Sequence, residues 1–122
     1  MSQGIEKTIN DLQKTFQEYW NNEQLDKLMT LYHPDAVLVG KGQWAVYGRD
    51  GIQEKFKSFF VDGPLKLTVH PETTVATEDG NYAIQKGQVE FDSAPGKLAP
   101  YEQLFKKDSN GHFLIYHDEF EP

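Results

Sequence analysis

The stretch Gly111-His112-Phe113-Leu114-Ile115-Tyr116-His117-Asp118-Glu119-Phe120 crowds ionisable side chains among aromatic ones. Its apolar residues, and the Asn110-Gly111 turn that opens it, predict a strand. Side chains alternate across a strand. Leu114, Tyr116, Asp118 and Phe120 therefore share one face, and Phe113, Ile115, His117 and Glu119 the other. An aspartate enclosed by rings loses hydration, which disfavours its charged form and raises its pKa. Such a carboxyl can move a proton at a carbon next to a carbonyl. Asp118 is thus the candidate acid/base, the alternative being a solvated residue at a strand's rim.

Other chemistry finds less support. His117 and Asp118 are adjacent on a strand, point to opposite faces and form no dyad. His117 and Glu119 share a face, about 7 Å apart, but the sequence nominates no third ligand where a metal site takes three or four. No metal and no cofactor are expected. His33 before Pro34 reads as a helix-end residue, and His70 and His112 as surface or turn residues. Serine nucleophile elbows, phosphate loops and zinc-protease spacings do not occur. Gly40-Lys41-Gly42 reads as a hairpin.

Composition bounds the partners. The 122 residues, 38% hydrophobic, suffice for one core, so a single domain over 1–122 is expected. Twelve Lys and Arg against 19 Asp and Glu give a net charge of −7, which argues against nucleic acid or an anionic membrane as partner. The absence of cysteine excludes disulfides, thiolate nucleophiles and Cys-ligated metals. No window approaches the ~20 apolar residues of a membrane span. The opening Met1-Ser2-Gln3-Gly4-Ile5-Glu6 lacks a secretion signal's layout. The expected location is cytoplasmic.

The elements that must position Asp118 follow from periodicity. Ile5, Ile9, Leu12, Phe16 and Trp20 form one stripe of a helix. Leu25, Leu28, Met29 and Tyr32 form a second, with Asn22 as a possible cap and His33-Pro34 as its stop. A third begins at Asp50, with Gln53 at capping-box spacing, and carries Ile52, Phe56, Phe59 and Phe60. Trp20, Trp44, Phe56, Phe59 and Phe60 read as core or pocket wall. Residues 36–39 and 44–47 read as a strand pair. After Pro64 the period becomes two, and turns at Asp79-Gly80, Pro95-Gly96 and Asn110-Gly111 divide an antiparallel meander near 65–77, 82–92, 100–107 and 112–120. Gly87 marks a bulge or bend, and Pro71 an edge or kink. The class is α+β, with three N-terminal helices on one side of a bent antiparallel sheet of four to six strands.

Three segments carry a resemblance: Leu31-Tyr32-His33-Pro34-Asp35-Ala36-Val37, Gly48-Arg49-Asp50-Gly51-Ile52 and Gly111 to Asp118. In this order they resemble the nuclear transport factor 2-like superfamily, nearest the SnoaL-like and ketosteroid-isomerase-like group, with the association domain of calcium/calmodulin-dependent protein kinase as another relative of this shape. The resemblance implies a cone-shaped, cystatin-like fold with a pocket at its open end. It implies that the Asp118 face lines that pocket, together with Tyr101, Gln103 and Phe105 of the preceding strand. The implied ligand-binding set is Trp20, Tyr101, Gln103, Phe105, Tyr116 and Phe120, with Gln103, Tyr101 and Tyr116 as hydrogen-bond donors to an oxyanion. Arg49 and Lys86 are the cations that could lie near the lining. Steroid isomerases of this group use an aspartate base with a tyrosine and a protonated aspartic acid as donors. Those positions fall near Gly40, Phe16 and Gln103 here, so steroid isomerisation is not expected.

The expected function is a pocket for a small, apolar or aromatic molecule, with cofactor-free isomerase, cyclase or dehydratase chemistry. The alternative is a non-catalytic ligand-binding or dimerisation module. Because both faces of the last strand begin with apolar residues and no element remains to cover the outer one, a homodimer through that face is expected.

Overall fold

A computed structural model describes residues 2–121. Helix α1, Ser2–Asn21, buries Ile9, Phe16 and Trp20 of the expected stripe, and with them Gln13. Helix α2 is only Leu25–Met29. Tyr32 does not continue it, as the spacing had suggested, but opens strand β1, Tyr32–Gly40. The reason is local and tertiary together. Pro34 biases the residue before it toward extended backbone, and the Ile115 N–H donates to the Leu31 carbonyl at 2.8 Å, pulling Tyr32 into the sheet.

Strand β2, Trp44–Tyr47, returns along β1 and leads into helix α3, Gly48–Phe59. The expected capping box at Asp50 and Gln53 does not form. The cap position is Tyr47, without a side-chain bond, and Gln53 instead donates to Asp26 at 2.6 Å, tying α3 to α2. Asp50 stands in the first turn, where its charge complements the helix dipole. The meander follows as β3 (Leu67–Ala76), β4 (Tyr82–Phe91), β5 (Leu98–Lys107) and β6 (Phe113–Phe120).

The six strands form one sheet in the order β2-β1-β6-β5-β4-β3. It is mixed rather than wholly antiparallel, because β6 runs parallel to β1. Helix α1 closes the sheet against the edge strand β3. The Leu67 N–H donates to Asn21 Oδ1 at 2.8 Å and the Val69 N–H to Gln17 Oε1 at 2.8 Å, while Trp20 Nε1 donates to the Leu65 carbonyl at 2.9 Å. Side chains of a helix thus stand in for the missing neighbour strand.

Two irregularities shape the concave side. Between Pro71 and Thr73, β3 bulges at Glu72 opposite Gly87. A Cβ at Gly87 would overlap the His70 carbonyl and lie 2.8 Å from the Tyr101 ring and hydroxyl, so only glycine lets that ring lie across β4. The second bulge is in β6. Leu104 pairs with His117 and Phe105 with Ile115, leaving Tyr116 without a partner. Gly87→Ala should lower stability by about 1–3 kcal/mol in chemical denaturation, since one of the crowded groups is backbone and cannot turn away; an unchanged midpoint would contradict this packing.

Candidate functional site

The bulge at Tyr116 decides which side chains face the helices. Phe113 and Ile115 are buried in the core, after which the extra residue shifts the phase and Asp118 and Phe120 also turn inward. The strict alternation expected from sequence therefore holds for Asp118 and Phe120 and fails for Leu114 and Tyr116. Tyr116 lies on the other side of the sheet, its ring 5.0 Å from that of His33 and 5.1 Å from Lys106 Nζ. It cannot serve as a pocket wall or oxyanion donor.

On the inner face the pairing aligns Thr74, Gln85, Gln103, Asp118 and Leu38 in one row across five strands. Four polar side chains thus cross a buried sheet face, and each is accounted for. The Tyr32 hydroxyl donates to Asp118 Oδ2 at 2.6 Å. Gln103 gives Asp118 a second hydrogen bond and itself accepts from Gln13 Nε2 at 2.5 Å. The Tyr101 hydroxyl donates to Gln85 Oε1 at 3.0 Å, while Gln85 Nε2 donates to Asn10 Oδ1 at 2.8 Å and Thr74 Oγ1 at 3.0 Å. Among the described residues no buried side-chain polar atom lacks a partner, as a low-dielectric interior demands.

Aromatic rings face this row. Trp20 lies 4.9 Å from Phe56 and 5.0 Å from Phe60, centre to centre. Between rings and polar row lies a concavity of about 470 Å³ with its mouth included. Asp118, Gln103, Tyr101, Trp20 and Phe120 all stand on its wall. Phe105 is fully buried in the core and does not reach the wall.

Asp118 is 5% exposed. Burial pushes its carboxyl above the ordinary value of 3.8, opposed by the hydrogen bonds from Tyr32 and Gln103 and by the charge of His117. The Tyr32 hydroxyl is held far above its usual range by burial and by the Asp118 charge, so it stays a donor. Burial, with the Asp118 charge next, also raises Tyr101. Neither expected cation reaches the wall. Arg49 Nε donates to the Tyr32 carbonyl at 2.9 Å, and Lys86 stands 3.6 Å from Glu102. Among the described residues no group of three or more His, Cys, Asp or Glu gathers to hold a metal ion, and no helix is long and apolar enough to cross a membrane.

Sequence reading missed Tyr32, Gln13 and Gln85. Gln13 had a signal: Ile9, Gln13, Phe16 and Trp20 step by 4, 3 and 4, so a glutamine stands on the buried stripe. Gln85 had one too, alternating with Ala83, Gly87 and Val89. Tyr32 had none, because its helical spacing pointed elsewhere.

An α+β cone of helices on a bent sheet, with one buried carboxyl in a ring-walled hollow, defines a small-molecule pocket scaffold of the cystatin-like, nuclear transport factor 2-like kind. Residues 13–110 match the SnoaL-like domain, and the chain belongs to that family. No curated protein matches it. Among solved structures it is similar to a Catenulispora acidiphila protein in complex with S-DNPA (14% identity, 97% and 92% of the two chains, TM-score 0.78). It is similar to a putative scytalone dehydratase from Novosphingobium aromaticivorans (13%, 98% and 85%, TM-score 0.77). It is also similar to a putative calcium/calmodulin-dependent protein kinase type II association domain from Thiobacillus denitrificans (14%, 90% of each chain, TM-score 0.75). At these identities the likeness shows the fold alone.

The folded chain holds the Asp118 proton more tightly than the unfolded chain. The stability this adds is complete below the ordinary carboxylate value and is lost as pH rises through the raised one. Tyr32→Phe removes a donor that favours the ionised form. It should cost about 1.5–3 kcal/mol above the Asp118 midpoint, where the bond is charge-assisted, and less below it. Thermal melts across pH read this; an equal loss at both ends would contradict the assignment.

Proposed function

We propose that the hollow binds a small, largely apolar molecule and that Asp118 is its cofactor-free acid/base. The observation that carries the reading is the carboxyl itself, buried, held by two neutral donors and facing rings. As a carboxylate it takes a proton from a carbon next to C=O or C=N, and the electron pair moves onto the heteroatom. Returning that proton at another carbon completes an isomerisation; returning it with bond formation or loss of water gives the cyclase and dehydratase variants. Trp20, Phe120 and the Tyr101 ring form the wall, and Gln103 and Tyr32 hold the acid. The scytalone dehydratase-like and S-DNPA-bound relatives are compatible with such chemistry. Phe105 and Tyr116 have no part in it.

The second reading, a dimerisation module in the cytoplasm acting as one domain over 1–122, is favoured by the opposite face. The row next to the inner polar one runs Val75, Ile84, Leu104, His117, Val37 and Tyr47 across all six strands. Its ends are open, Val75 at 61% and Tyr47 at 75% exposure. A second copy covering this row is the economical way to remove it from water. The dimer thus rests on this row and not, as the sequence suggested, on Phe113 and Ile115, which are core residues.

Exchange of α-hydrogens in heavy water, followed by NMR over a panel of small ketones and imines, tests the acid/base role. The chain should accelerate exchange for a subset, and Asp118→Asn should reduce that acceleration by about a hundredfold or more. Binding without exchange would leave the module. Light scattering should give twice the chain mass, and Leu104→Glu should halve it; a wild-type monomer at micromolar concentration would remove the dimer.

A further inference from the structure

We propose that the hollow selects organic cations, a small ammonium that pairs with Asp118 while its hydrocarbon body lies against the rings. This rests on the ligand-site reading above and adds the sign of the ligand's charge.

The first argument is the inventory of charge. Among the described residues none on the wall is Lys, Arg or His, and Asp118 is the one acidic side chain there. The nearby cations are engaged elsewhere: Arg49 on the Tyr32 carbonyl, Lys86 with Glu102, Lys55 at 4.2 Å over the Trp44 ring, and His117 at 3.4 Å from Glu119. An entering anion would meet a carboxylate and no counter-charge. A neutral molecule would displace water and leave the carboxylate uncompensated. A cation alone supplies what burial has removed.

The second argument is the inventory of donors. Trp20 Nε1 donates to Leu65, Gln13 Nε2 to Gln103, the Tyr101 hydroxyl to Gln85, and Tyr32 and Gln103 to Asp118. A carboxylate offers about four lone-pair sites and an ammonium three donors with no acceptor. The one charged group on the wall, Asp118, has acceptor capacity to spare, so the part of the ligand that meets it should be a donor. The rings add to this. Phe16, Trp20, Phe56, Phe59, Phe91 and Phe120 line the space, and π faces attract ammonium groups. The net charge of −7 favours the approach of cations.

The titratable groups facing Asp118 are Tyr32 from β1 and Tyr101 from β5. Helix α1 brings Gln13, α3 brings Phe56 and Phe59, and His117 acts from the far side of β6. Asp118 is the one carboxyl among the described residues on the wall itself.

Three probes of one shape and different charge test the proposal: benzylammonium, benzyl alcohol and benzoate, titrated into the full chain. The Trp20 indole N–H resonance reports entry, and calorimetry the affinity. Benzylammonium should bind roughly tenfold tighter than benzyl alcohol, and benzoate weakest. Benzylammonium should tighten as pH rises through the raised Asp118 midpoint, while the alcohol stays level. Asp118→Asn should bring benzylammonium down to the alcohol's affinity without abolishing alcohol binding, which shows the variant is folded. Alcohol binding as tight as ammonium binding, or a preference that survives Asp118→Asn, overturns the proposal and leaves the ligand site standing. If none of the three moves the Trp20 signal, the ligand-site reading falls with it.

Discussion

Tyr116 is one residue more than the pairing of β5 with β6 can use, and the site depends on that surplus. Without it, Phe113 and Ile115 in the core would force Asp118 outward, one residue out of step with its present position. With it, one eight-residue strand gives the core its apolar anchors and then delivers a carboxyl to the same side of the sheet. Tyr116 itself stays on the outer face, where its ring meets His33.

The consequence is a sheet whose polarity is inverted at one level. The inner row carries Thr74, Gln85, Gln103 and Asp118, while the adjacent outer row is apolar but for His117. A buried polar row is costly unless every member is bonded. Here α1 supplies the missing partners, Asn10 to Gln85 and Gln13 to Gln103, and β1 supplies Tyr32. The same helix fixes the edge of β3 through Gln17 and Asn21. Closing the cone and satisfying the site are therefore one act of packing, and both rest on the polar residues of α1 as much as on Ile9, Phe16 and Trp20.

Much of this scaffold is legible in the residues, because it is written in periodicity and turns. The α1 stripe, the 36–39 with 44–47 pair and the four-strand meander follow from spacing, while the inward placing of Asp118 and Phe120 follows only from the family resemblance. What is not legible depends on pairing between distant strands. The parallel docking of β1 on β6 takes Tyr32 out of a helical pattern that reads well locally. The β6 bulge is hidden because Phe113-Leu114-Ile115-Tyr116 is apolar on both faces, so alternation has no phase to report. Gly87 shows its function only once Tyr101 is seen to cross it. Gly40, Phe16 and Gln103, near which the resemblance places the acid/base groups of steroid isomerases, are a buried strand residue beside Trp44, a ring on the hollow's wall and a member of the polar row.

A buried acid in a ring-walled hollow is the point on which the ligand, the chemistry and the pH dependence all turn. Carbon-detected NMR titration of the Asp118 side-chain carboxyl, assigned by its loss in Asp118→Asn, measures it directly. The account predicts a midpoint clearly above 3.8, because burial outweighs the bonds from Tyr32 and Gln103. A midpoint at or below 3.8 would mean that hydration or the bonds from Tyr32 and Gln103 outweigh burial, and would contradict it.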